Sequence, residues 1–251
     1  MSEKAFLLVL VSWICIAVAV FVYLLFTDAP YGRYFRRSFG PAINGKLAWI
    51  LMEAPASLIF AVFFLLGMQT PNTAQVCFLV MWELHYIDRA FLYPLTRRIS
   101  PKPFPMAVLT AGLAFNTLNA YLNSSYIIIN TSKYAGPWLH DIRFLTGIGL
   151  FLLGFIVNRH SDYILYRGRL KSEQYIIPRD GLYRWVSCPN YLGEIVIWIG
   201  WMVATWSPVA AAFALWTIAN LVPRARSHHQ WYRENFDDYP DKRHALLPGI
   251  W

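Results

Sequence analysis

An all-α, polytopic integral membrane protein with seven transmembrane helices is what this sequence predicts, on three observations. Hydrophobic residues make up 57% of the chain and charged ones only 14%, where soluble domains carry about 25% charged residues. Seven apolar runs approach the roughly 20 residues that a helix needs to cross a bilayer. The basic residues gather in alternate connections between those runs.

The first run, 5–26, is longer than the apolar core of a signal peptide. Its charged start is weak (Glu3, Lys4) and no clean small-residue cleavage site follows, so a retained helix is expected. Runs 46–67, 74–94, 106–129 and 142–158 follow, and then 190–206 and 208–222, which the Ser207-Pro208 turn joins into a tight hairpin. The whole chain, 1–251, is expected to be a single membrane domain, with helices one to four in 1–130 and helices five to seven in 131–251.

Charge then orients these helices. Arg33, Arg36 and Arg37 follow the first run; Arg97, Arg98 and Lys102 follow the third. Arg159, Arg167, Arg169, Lys171, Arg179 and Arg184 follow the fifth, and Arg224, Arg226, Arg233, Lys242 and Arg243 lie in the tail. With seven spans these four segments share one side, which the positive-inside rule makes cytosolic. The N-terminus is then outside and the C-terminus cytosolic. Membrane flanks thus account for the net charge of +8 without a nucleic-acid partner.

The three cysteines make no disulfide framework, and Cys15 and Cys77 lie inside apolar runs. His228 and His229 are adjacent, point in different directions on a helix and have no third ligand at a useful spacing, so no metal is expected. The glycosylation patterns at Asn123 and Asn130 are short enough to arise by chance and carry no weight.

Polar residues inside spanning helices are costly, which makes each a functional candidate. Glu53 stands between Met52 and Ala54-Pro55 with no cationic partner on its own helix. A carboxyl in such a low-dielectric place stays neutral and able to donate a hydrogen bond; beside a tyrosine it can polarise a ketone and stabilise an enolate. Glu83, His85, Tyr86, Asp88 and Arg89 fall within seven residues. Glu53 with Tyr86 is the pair suited to that chemistry, whereas Glu83, Asp88 and Arg89 fit a structural ion-pair cluster. Asn190 and Glu194 lie one turn apart on one helix face.

Segment 158–191 is rich in Arg and Tyr, including Asn158, Asp162, Arg169 and Tyr175. Arginine forks match phosphate oxygens, and tyrosines offer an aromatic face with a hydroxyl, groups suited to a dinucleotide. No G-x-G-x-x-G follows a strand, so a nicotinamide cofactor would be held by helices and loops instead of a Rossmann domain.

Asn158-Arg-His-Ser-Asp-Tyr-Ile-Leu165 with Arg169, then Tyr175-Ile-Ile-Pro178, Gly181-Leu-Tyr183 and Val186-Ser-Cys-Pro-Asn-Tyr-Leu-Gly-Glu-Ile195, resemble the steroid 5α-reductase family. Asp141-Ile-Arg-Phe144, Trp198-Ile-Gly200, Ala204-Thr-Trp-Ser207 and Asp238-Tyr-Pro240 extend the resemblance over 140–251. It is thinner in the N-terminal half, where Glu53 with Pro55 and His85-Tyr86-x-x-Arg89 match. The resemblance implies a seven-helix membrane enzyme that reduces the C4–C5 double bond of a 3-oxo-Δ4 steroid with NADPH, in a bacterial inner membrane or endoplasmic reticulum. It places Glu53 and Tyr86 at the C3 carbonyl and Met52, His85 and Arg89 around them. Asn158, Asp162, Arg169, Tyr175, Asn190, Glu194 and Tyr232 fall on cofactor-contacting positions, with Arg97, Arg98 and Lys102 in a connection that covers the cofactor. Many members have Gln where this chain has Met52, which leaves the Glu/Tyr pair intact and bears on rate and substrate. The partners implied are a steroid or steroid-like lipid and the membrane itself.

Three rivals stand beside this reading. A related reductase of an enoyl thioester or polyprenol would favour a more basic entrance. An isoprenylcysteine-type methyltransferase has no need of the carbonyl-polarising pair. A transporter would use Glu53 and Glu83 as a proton relay, but neither an inverted repeat nor a broken-helix pair is visible.

Overall fold

The computed structural model describes residues 2–67, 70–96, 103–172, 175–247 and 249. The fold is nearly all helical, with seven helices of 15 residues or more among the described residues: α1 (Glu3–Phe26), α2 (Gly45–Gly67), α3 (Thr73–Ile87), α4 (Met106–Ile129), α5 (Ile142–Lys171), α6 (Pro189–Thr205) and α7 (Pro208–Asn235). Three of them, α1, α2 and α5, are long and apolar enough to cross a membrane, and they mark a membrane protein. Of the others, α3 and α6 are shorter, and α4 and α7 are more polar. α3 gives way after 15 residues to a π turn at Asp88–Leu92 and a short helical turn at Tyr93–Thr96. α4 carries asparagines, and α7 runs on into a charged extension.

Two helices outrun their apolar runs. α5 continues past residue 158 to Lys171, and α7 past residue 222 to Asn235. Segment 159–171 contains no proline, and Arg167 lies 5.9 Å over the Tyr163 ring, an i, i+4 pair that supports the helix outside its apolar stretch. The all-α expectation needs one amendment: Ala42–Asn44 and Pro103–Pro105 form a two-stranded antiparallel ribbon with Ile43 opposite Phe104. Prolines at 103 and 105 favour extended backbone, and the two strands lead directly into the neighbouring helices α2 and α4.

The chain divides into two compact units. One comprises residues 29–145. In it α2 packs along α4, with Gly112 leaving room for the Met52 thioether and Gly67 for Ile128. α3, which Asn72 and Gln75 start with a reciprocal capping box, also packs on α2. Phe60 and Trp82, both fully buried, stack at 4.5 Å across that seam. Beyond α4, Lys133 sits 5.3–5.5 Å from the rings of Tyr126, Tyr134 and Trp138.

The other unit joins residues 1–28 to 146–251. Here α1 docks on α7: Trp216 Nε1 donates to the Trp13 carbonyl at 2.9 Å, and the two indoles lie 4.9 Å apart. α6 and α7 form the expected hairpin, turned by Trp206 in the left-handed region (φ 47°) and restarted by the Ser207 cap with Pro208 first in the helix. α5 and α6 meet along glycines spaced seven apart on each helix. A Cβ on Gly154 would come 2.5 Å from Ile197 N, and one on Gly193 would come 2.5 Å from Asn158 N. Gly147 and Gly200 are equally close to the facing backbone. Small residues of this kind let helix backbones approach closely in a membrane. The tail returns to the start of α6, where Ser187 N donates to His244 O at 2.8 Å and Cys188 N to Ala245 O at 3.2 Å.

Candidate active site

In the unit of residues 29–145, the turn 53–57 of α2 is tied to the turn 82–86 of α3. Trp82 Nε1 donates to the Ala56 carbonyl at 2.8 Å, and the Ser57 hydroxyl donates to Glu83 Oε2 in a short hydrogen bond. Glu53 and Tyr86 thus belong to adjoining turns of two packed helices. Tyr86 is buried, with its ring between those of Trp82 (4.9 Å) and His85 (5.0 Å, edge-on). His85 is buried as well. The Glu53 carboxyl is half-buried and has the Asn116 amide 3.5 Å from Oε2. Met52 turns its side chain to α4, beside Ala48, Phe104 and Leu109.

Glu83 and Arg89 find different surroundings. Glu83 takes Ser57, and its Oε1 is buried without a hydrogen-bond partner among the described residues. Arg89 lies over Trp49 (4.7 Å) and Tyr93 (5.3 Å), and its carbonyl accepts from Trp49 Nε1 at 3.0 Å. That carbonyl sits in the π turn, where the helical hydrogen-bond ladder is displaced.

In the other unit, four predicted residues form one polar cluster, in which Asn158, Asp162 and Glu194 are buried and Asn190 is half-buried. Asn158 Nδ2 donates to the Asn190 carbonyl at 2.9 Å and to Glu194 Oε2 at 3.0 Å. Glu194 Oε1 accepts from Trp198 Nε1 at 3.1 Å, and Asn190 Nδ2 donates to Asp162 Oδ1 at 3.3 Å. Both hydrogens of the Asn158 amide are spent, so its Oδ1 is left as an acceptor beside the carboxylate oxygens of Asp162 and Glu194. The close approach of α5 and α6 at Gly193 is what puts Asn158 within reach of Glu194.

Three further predicted residues belong to the same unit. Arg169 is exposed near the end of α5. Tyr175 is exposed with its ring 5.2 Å from Trp231, and Tyr232 is buried and stacked on Tyr239 at 5.4 Å. Arg97, Arg98 and Lys102 lie outside the described residues.

Around Tyr239 is a group that sequence reasoning missed. Ser187 Oγ lies 3.0 Å from the His244 carbonyl, which accepts its proton, and shares hydrogen bonds with the Tyr239 hydroxyl and with His229 Nδ1, the latter at 2.7 Å. Burial lowers the His229 pKa, and the Arg233, His244 and Arg243 charges lower it further. Burial raises that of Tyr239. Arg243 is 4% exposed and lies 4.9 Å over the Tyr239 ring, yet its Nε and Nη1 have no hydrogen-bond partner among the described residues. A buried guanidinium with two unfilled nitrogens suits an anionic group such as a phosphate. Its only sign in the sequence is one more basic residue in a basic tail. Asn116 was likewise missed, although Asn116, Asn119 and Asn123 recur at helical spacing along an otherwise apolar run, and all three are buried. No group of three or more metal-ligating residues occurs among the described residues.

Comparison with known proteins follows the same lines. A family model described as 3-oxo-5-alpha-steroid 4-dehydrogenase matches residues 102–251. The chain is 39% identical to the steroid 5-alpha-reductase DET2 of Gossypium hirsutum, over 94% of this chain and 93% of that protein. It is 39% identical to 3-oxo-5-alpha-steroid 4-dehydrogenase 1 of Macaca fascicularis (89% and 86% covered) and 37% identical to that of Homo sapiens (94% and 91%). The similarity therefore extends through the N-terminal half. The chain belongs to the steroid 5α-reductase family, oxidoreductases that act on the CH–CH group of steroids.

Proposed function

We propose that this protein reduces the C4–C5 double bond of a 3-oxo-Δ4 steroid to the 5α-dihydro product, with NADPH as reductant. One observation carries the proposal: the Glu53 and Tyr86 turns are hydrogen-bonded to each other through Trp82–Ala56 and Ser57–Glu83. A neutral carboxyl and a phenol on adjoining turns form a pair of donors for one ketone oxygen. As negative charge grows on that oxygen, both donors bind it more strongly than they bind the ketone, which lowers the barrier. The apolar surroundings of Tyr86 exclude competing water, and the proton that completes C4 comes from solvent.

NADPH when bound supplies the hydride that C5 receives. Asn158, Asp162, Asn190 and Glu194 are the residues that would hold it, joined by Arg169, Tyr175 and Tyr232, with Arg97 and Arg98 at its phosphates. The donor set fits: an amide acceptor anchored by a carboxylate suits a carboxamide, and buried Arg243 suits a phosphate. Seven membrane-crossing helices, with the N-terminus outside and the basic connections cytosolic, complete the proposal, supported by the positions of the arginines.

The test is to incubate the detergent-solubilised protein with NADPH and progesterone and to look for the 5α-dihydro product by mass spectrometry. Product from the parent, strongly reduced but measurable in Glu53→Gln and Tyr86→Phe, is the expected result. Full activity in both variants would remove the carbonyl-polarising roles. A folded parent with neither product nor stabilisation by NADPH would remove the reductase reading.

A further inference from the structure

We propose that Asn116 on α4 is a positioning residue that determines which oxygen of the Glu53 carboxyl carries the proton. The proposal rests on Glu53 being the acid that polarises the substrate carbonyl, and it adds a residue from a third helix to that machinery.

The geometry begins with a clamp. Asn116 is 5% exposed, and its Nδ2 donates to the Met52 carbonyl at 2.7 Å. That carbonyl lies one residue beyond Leu51 O, whose usual helical donor Pro55 lacks. Held there, the same Nδ2 stands 3.5 Å from Glu53 Oε2. One of its hydrogens is engaged with Met52, and the other is available to the carboxyl.

An N–H donor tells the two oxygens of a neutral carboxyl apart. The hydroxyl oxygen would turn its own proton against the donor, so the oxygen facing Asn116 is the carbonyl-type one. Oε2 is then the acceptor, and Oε1 carries the proton that passes to the C3 oxygen of the substrate. As that proton shifts toward the growing enolate, negative charge appears on the carboxyl. The long contact at Oε2 then becomes a charge-assisted hydrogen bond, which is shorter and stronger. Asn116 thereby favours the transition state over the ground state without touching the substrate. Catalytic hydrogen bonds are often long in unliganded proteins and tighten only in the reacting complex.

The experiment is a double-mutant cycle on the full-length protein with saturating NADPH and progesterone, comparing parent, Asn116→Ala, Glu53→Gln and the double variant. Asn116→Ala is expected to lower kcat roughly 10- to 100-fold, the size of one charge-assisted hydrogen bond, with KM for steroid and NADPH within about threefold. In the Glu53→Gln background no acid proton remains to be placed, so the same change is expected to cost less than about threefold. Asn116→Gln, which keeps the amide, is expected to recover part of kcat. Equal losses in both backgrounds, or a raised KM with kcat intact, would overturn the proposal and leave Glu53 as the acid. Full activity in Glu53→Gln would overturn both. If Asn116→Ala gives no NADPH-stabilised fold, Asn116→Leu replaces it: it is close in size and has no hydrogen-bond donor, so retained kcat overturns the proposal and lost kcat with unchanged KM supports it.

Discussion

Replacing Gly193 by alanine puts a methyl group where α5 and α6 leave no space. The new Cβ would stand 2.5 Å from Asn158 N and 2.8 Å from both Asn158 Cα and the Gly154 carbonyl, and all three are backbone atoms that cannot rotate away. Reaching the 3.4 Å of ordinary contact requires the helices to part locally by about 0.9 Å. The Asn158–Glu194 hydrogen bond, 3.0 Å long, would stretch to about 3.9 Å and break. Two effects on stability oppose each other: overpacking costs about 1–3 kcal/mol, and alanine in a helix returns up to about 1 kcal/mol over glycine. The larger consequence is for the cofactor, because the amide that presents Asn158 Oδ1 loses its charged anchor. Losing a hydrogen bond to a charged group is worth about 1.5–3 kcal/mol, or roughly ten- to hundredfold in NADPH affinity. The assay is the NADPH dependence of Tm in detergent at fixed salt, converted to Kd by linkage. Gly149→Ala on α5 is the control, since its Cβ meets nothing within 4 Å, and it should bind NADPH like the parent. A folded Gly193→Ala protein with an NADPH Kd within twofold of the parent would refute the reasoning.

Three other perturbations test separate parts of the structure. Ser57→Ala leaves the Glu83 carboxyl without the partner at Oε2, while Oε1 has none among the described residues, and should cost about 1–3 kcal/mol of stability. Ser57→Ala combined with Glu83→Leu should recover most of that loss in thermal melts, and no recovery would show that the cost lies elsewhere. Arg243→Gln should weaken NADPH binding about tenfold or more, with a shallower dependence on salt and an unchanged Tm without cofactor; unchanged affinity would assign Arg243 to packing alone. For His229, whose pKa in the fold is lowered from the ordinary 6.5, the unfolded chain takes up a proton first as pH falls. Its contribution is therefore complete above about pH 6.5 and declines below that, toward the lowered value in the fold. The fall in Tm between pH 7.5 and 5.5 should flatten in His229→Asn, and an identical slope in both proteins would refute the assignment.

Much of this architecture was legible from residue patterns, and the exceptions have physical causes. Long apolar runs marked α1, α2 and α5 because spanning helices require them, and Ser207-Pro208 marked the α6–α7 turn because a cap followed by proline starts helices. Asn158, Asp162, Asn190 and Glu194 were singled out together by the family resemblance, and Asn190 with Glu194 also by their one-turn spacing; that they touch one another needed the fold. The extensions of α5 and α7 were hidden because hydropathy falls where a helix leaves the apolar zone, although the backbone ladder does not stop there. Asn116 was hidden because a single amide in an apolar run has no distinctive neighbours; its meaning comes from Met52 and Glu53, more than 60 positions away in the chain. The separation of Glu83 from Arg89 was unreadable for a related reason, since the partners of both, Ser57 and Trp49, lie on α2.

The packing of α1 against α7 bears on how the protein is made. Trp13 and Trp216 are 203 positions apart. At roughly 5–20 residues per second, a ribosome needs about 10–40 s to synthesise the intervening chain. Throughout that interval the first helix waits in the bilayer with its partner face turned to lipid or to an insertion factor. Chains that terminate early keep that face permanently uncovered, which gives membrane quality control a ready mark by which to tell an unfinished copy from a complete one.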